Sequence, residues 1–157
     1  MKILYLFPFL LLGLLQVAQA QQIVSSFQQA EGTDYAMPKL DAQYKSAIHE
    51  DPSLAVFTGA DQAKLTAAYG QLVQAVGRHL AANGFTWGKP TRCFNRFYFH
   101  PDGTIDYYLF HLTDVDAAKQ AEFQRLMAEF VKTNRIALQA PEKFSQCSPV
   151  VYQDQPK

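Results

Sequence analysis

Apolar positions recur along this chain with two different periods, and the change from one to the other falls near Gly84. Upstream of it the spacing is helical. From Asp34 to His49, Tyr35, Leu40, Tyr44, Ala47 and Ile48 fall at helical steps, with Pro38 tolerable only in the first turn. Pro52 closes that segment by pushing Asp51 out of helical geometry. A second helix is predicted from about Ala60 to Asn83. Leu65, Tyr69, Leu72, Val73, Val76 and Leu80 form its stripe, and Gly84 supplies the left-handed stop. Ala63, Ala67, Gly70, Gly77 and Ala81 share a different face. Glycine inside a helix is costly, so that face predicts a packing seam where another backbone comes close.

Downstream of Gly84 the period falls to two. Trp87, within FTWGKPT, is a predicted core anchor. CFNRFYFHPDGTIDYYLFHL, from Cys93 to Leu112, then alternates on either side of Pro101, Asp102 and Gly103. Proline presets the first turn position and glycine supplies a left-handed third, which predicts a three-residue hairpin loop with a bulge at Gly103. Setting His100 opposite Thr104 opposes Phe99 to Ile105, Phe97 to Tyr107, Asn95 to Leu109 and Cys93 to His111. Those residues make a mostly apolar face for a helix predicted from about Asp114 to Asn134, whose stripe is Phe123, Leu126, Met127, Phe130 and Val131.

The other face of the predicted hairpin carries Arg96, Tyr98, His100, Asp106 and Tyr108, with Arg96 and Asp106 in diagonal reach of an ion pair. Tyrosine and arginine are enriched at binding hot spots, so this face is the candidate binding surface. Two blander readings stay open. The face is either half-exposed, its polar groups satisfying each other, or covered by the amino-terminal helices as a second core. A last strand lies within Phe144 to Tyr152, at a sheet edge, because Pro149 lacks the donor a central strand needs. The expected architecture is α+β: a helical amino-terminal half, then a ββαβ segment whose small antiparallel sheet is covered by a helix.

The first 20 residues change the picture of where the chain works. Lys2 precedes the apolar run from Ile3 to Leu15, and Ala18 and Ala20 flank Gln19 as a signal peptidase requires. The run is shorter than the ~20 residues a membrane-spanning helix needs. A signal peptide over residues 1–20 and a single domain over 21–157 are therefore expected, with no stable membrane insertion after cleavage. No Cys follows the cleavage site to take a lipid anchor. Lys2 leaves with the leader, so of 14 basic side chains 13 remain against 14 acidic ones. That balance offers no long-range attraction to nucleic acid. In an oxidising periplasmic or extracellular space, Cys93 and Cys147, the only two cysteines, are expected to form one disulfide.

Motifs of catalysis are missing from the chain. There is no Gly-x-Ser-x-Gly elbow, His-Glu-x-x-His pair, Gly-rich phosphate loop or calcium-loop spacing. The four histidines, His49, His79, His100 and His111, show no metal-ligand spacing, and no cofactor is predicted. RFYFHPDGTIDYYLF, the helix through Phe123 and Phe130, and CSPVVY occur in an order that resembles the carboxy-terminal domain of TonB-type energy transducers. The resemblance covers roughly residues 92–152, and the family's membrane anchor and Pro-rich spacer have no counterpart here. It implies an envelope interaction module whose last strand accepts a partner strand. The expected function is a small exported, non-catalytic binding module for an envelope protein, a peptide strand or a small ligand. The runner-up is a small hydrolase-like enzyme using Arg96, His100 and Asp106.

Overall fold

A computed structural model describes residues 22–154, so the signal-peptide reading lies outside the described residues. The chain contains both helices and a five-stranded mixed sheet with strand order β1-β4-β3-β5-β2. The centre of the sheet is the antiparallel ladder of β3 (Thr91–Phe99), β4 (Ile105–Leu112) and β5 (Phe144–Tyr152). Two short strands from the amino-terminal half flank it in parallel: β1 (Ile23–Ser26) beside β4 and β2 (Lys45–Ser46) beside β5.

The two long helices form close to where their apolar stripes predict. In α3 (Asp61–Ala82) the buried residues are Leu65, Ala68, Tyr69, Leu72, Val76 and Leu80. It stops in a Schellman motif, with Gly84 at φ 74°, its N–H on Ala81 O and the Phe85 N–H on Leu80 O, so two end carbonyls are satisfied. In α4 (Ala117–Thr133) the Asp116 carboxylate accepts from the Lys119 N–H at 2.9 Å, and Phe123, Leu126, Met127, Phe130 and Val131 are buried. Both helices lie on one side of the sheet, where their stripes join Phe97, Phe99, Tyr108, Phe110, Trp87 and Tyr152 in the main core. Each fully buried side chain of this size contributes roughly 1.5–3 kcal/mol.

The predicted helix over Asp34–His49 shortens to α2 (Met37–Asp41), entered through Pro38. Leu40 and Tyr44 are buried as their spacing suggests, but the chain then straightens into β2, and Ile48 is exposed. So short a helix gains little from its own hydrogen bonds, whereas the β5 edge offers partners for Lys45 and Ala47, whose N–H groups bond Lys143 O and Ser145 O. The amino-terminal half therefore adds strands as well as helices to the domain. The packing seam expected along α3 is not found either. A side-chain carbon built on Gly70 or Gly77 would meet nothing within 4 Å among the described residues.

The second face of the sheet is covered. The one-turn α1 (Phe27–Ala30) and α2 lie over it, and Ala30, Leu40, Tyr44, Tyr98 and Leu109 make a second, smaller core with Phe27, Tyr35 and Tyr107. Of the open alternatives for this face, the covered one is what the structure shows.

Candidate functional site

Position 106 decides where the predicted binding residues go. His100 does sit opposite Thr104, its N–H on Thr104 O at 2.9 Å, and Phe99 pairs with Ile105. The next pairs are Tyr98 with Tyr107 and Phe97 with Tyr108, so Asp106 is an extra residue in β4. This bulge turns Asp106 and Tyr107 toward α2, and every side chain beyond them changes face relative to simple alternation. Tyr108 consequently lies in the main core, 4.4 Å from Phe97 between ring centroids, instead of beside Tyr98. The loop expected at Gly103 forms as read, with Gly103 at φ 86° and its N–H on His100 O at 2.9 Å, and the Asp106 bulge is a second irregularity that the alternation does not show.

The five candidate residues end up in four settings. Tyr98 is fully buried in the second core, and its hydroxyl donates to Asp41 at 2.9 Å. Arg96 pairs with that same Asp41 and donates to the Tyr98 hydroxyl at 2.8 Å, so the expected Arg96–Asp106 pair is replaced. Asp106 instead accepts from the Tyr44 hydroxyl at 2.8 Å, and burial together with this carboxylate pushes the Tyr44 phenol well above its usual range. His100 is exposed at the hairpin turn beside Asp102. Asp102 accepts from the Thr104 hydroxyl and N–H, which hold its carboxyl down at about 2. Tyr108 donates to Asn95 Oδ1 at 2.6 Å on the opposite side of the sheet. Arg96, His100 and Asp106 are each engaged by a different partner, so the hairpin does not assemble them into one constellation.

The expected disulfide is not formed. Cys93 stands opposite Val150 and Cys147 opposite Arg96, three positions apart on neighbouring strands, which puts their side chains on opposite faces of the sheet. Cys93 is buried against Asn95 and Tyr108, and burial pushes its thiol up to about 12. Cys147 is exposed.

The surface that remains available is the outer side of β5. Its direction is fixed by β2, because Ala47 donates to Ser145 O at 2.9 Å. Backbone groups alternate along a strand, so the main-chain groups of Cys147, Pro149 and Val151 also point outward. Beyond Ala47 the chain turns away, its carbonyl taken by the Phe57 N–H. Cys147 O accepts from the Gln146 side chain, and Pro149 has no N–H. The Cys147 N–H, the Pro149 C=O and both groups of Val151 bond no other described residue. The Val151 side chain is itself 58% exposed. The opposite sheet edge is shielded: Gln124 of α4 donates to Val24 O, and Gln22 to Val131 O.

Next to this edge, α3 and the end of β5 enclose a groove of about 930 Å³. Val73, Leu80, Phe85, Trp87, Val150 and Tyr152 give it apolar walls, and Gly77 leaves space along one side. Trp87 stacks on Tyr152 at 5.2 Å, and its N–H and that of Gly88 are held by Asp154 at 2.8 Å each. The Gly77 gap is visible in the sequence, but its openness is not.

No protein-family model, curated protein or solved structure matches the chain. Among the described residues, no group of three or more His, Cys, Asp or Glu is placed to hold a metal ion, and no helix is long and apolar enough to cross a membrane.

Proposed function

We propose that this domain is an exported, non-catalytic binding module that takes an extended peptide segment as an added strand on the outer edge of β5. The observation that carries the reading is the set of free outward main-chain groups, the Cys147 N–H, the Pro149 C=O and both groups of Val151, beside an apolar groove. An added strand gains affinity from main-chain hydrogen bonds, while pockets for alternate side chains supply selectivity. An export signal and a TonB-type interaction role are parts of the same proposal.

The edge is also partly defended. Pro149 removes one outward donor, and Gln146 occupies one acceptor. Such defence disfavours uncontrolled self-pairing yet leaves four groups for a suitable partner. Arg96, Tyr98 and Asp41 then act as the fastening between α2 and the sheet, holding the scaffold behind the site.

The test uses Val151→Pro, which deletes an outward donor while leaving the β3 ladder intact by the alternation of β5. Isotope-labelled protein is titrated with blocked extended peptides, and amide exchange is followed at 147–152. The expected result is protection at Cys147 and Val151 in the parent and at least tenfold weaker binding in the variant at unchanged Tm. Bound peptides that leave those amides unprotected overturn the reading.

A further inference from the structure

We infer that the groove between α3 and β5 is the side-chain pocket of this edge, accepting a large apolar residue, of leucine or phenylalanine size, from a segment that also carries a carboxylate. The inference rests on the strand-addition reading and names the partner's chemistry.

Three observations converge on it. Val150, Val151 and Tyr152 belong both to the exposed strand and to the groove wall, so a strand bonded to β5 lies along the groove mouth. One set of its alternating side chains then points toward α3, on the side where Val150 and Tyr152 already point. The second observation is Gly77. Within a helix it is about 1 kcal/mol less favourable than alanine. Its φ is not left-handed, and nothing among the described residues comes within 4 Å of a built side-chain carbon. Neither conformation nor internal packing calls for glycine there, and its lack of a side chain keeps the groove open.

The third observation is charge. Arg78 lies in the groove wall, exposed, and pairs with no carboxylate among the described residues. Asp154, the one acidic residue of the groove lining, is committed to the N–H groups of Trp87 and Gly88, which lower its pKa. A glutamate or aspartate on the incoming segment would complement Arg78. The volume is within the range of ligand sites, and the lining is mostly apolar, with Gln74, Arg78, Thr86, Gln153 and Asp154 as its polar members.

The probes are blocked heptapeptides alternating threonine with leucine, phenylalanine, alanine or lysine and ending in glutamate, with lysine-ended counterparts of each. Binding is read twice, at the amides of 147–151 and by the emission of Trp87, the only tryptophan in the chain. The leucine and phenylalanine peptides should bind at least tenfold tighter than the alanine one and shift Trp87 emission. Gly77→Leu should remove that preference while leaving Tm equal or higher. Arg78→Glu should weaken glutamate-ended peptides and favour lysine-ended ones. If all peptides protect the edge equally and Gly77→Leu changes nothing, the pocket is wrong and the edge reading survives. If Trp87 responds while 147–151 stay unprotected, both are overturned.

Discussion

Among the described glycines, Gly103 is the one where the fold can least accommodate an added side chain. It sits at φ 86°, and an added carbon would lie 2.3 Å from Ile136 O and 2.9 Å from Leu138 O. The segment after α4 clamps this hairpin tip, with Ile136 N–H on Gly103 O and Ala140 N–H on Pro101 O. Gly103→Ala should therefore cost at least about 2 kcal/mol, combining left-handed strain with a backbone clash, as chemical denaturation will show. The cysteines make a second residue-scale prediction. Folded protein should give one fast thiol with a water-soluble aromatic disulfide reagent, from Cys147, and a second only on unfolding, from Cys93. Two equivalents in unfolded, unreduced protein confirm the free pair, and none would restore the bridge. Turn residues were legible in the sequence because a Pro-Asp-Gly loop is a local property. The fate of the cysteines was not, because it depends on which face each strand position presents.

At the scale of elements, helices and strands differ in how far their sequences specify them. The α4 stripe names its buried residues, and the α3 stripe does so except that Val73 is only partly buried and Ala68 joins the set, because each helix has one wet face and one dry one. The hairpin has no such contrast. Tyr107 and Leu109 are as apolar as Tyr108 and Phe110, so alternation alone cannot say which set faces which core, and the Asp106 bulge passes unseen. The β5 edge offers the element-scale prediction. Pro149→Thr should restore an outward donor without disturbing the β3 ladder. It is expected to tighten binding of an extended peptide severalfold and to raise self-association, measurable by sedimentation. Unchanged binding and a monomer would show that position 149 does not face a partner.

For the molecule as a whole, the sheet sits between two layers of unequal thickness. Phe97 faces α3 and α4, and Tyr98 faces α1 and α2, yet both are fully buried. Phe97→Glu and Tyr98→Glu should both destabilise severely, by 3 kcal/mol or more on the order of an unpaired buried charge, in urea unfolding. A mild effect at Tyr98 would mean the thin layer opens in solution. Sequence by itself determined the α+β composition, the two long helices and their buried stripes, the hairpin loop and the position of Trp87 in the core. Each of these depends on residues close together in the chain. Tertiary structure decided the rest: β1 and β2, the Asp106 bulge, the Arg96–Asp41–Tyr98 cluster, the separation of the thiols and the open side of β5. Those features arise from pairing and coverage between distant segments, and an edge is open only by virtue of what other segments leave uncovered.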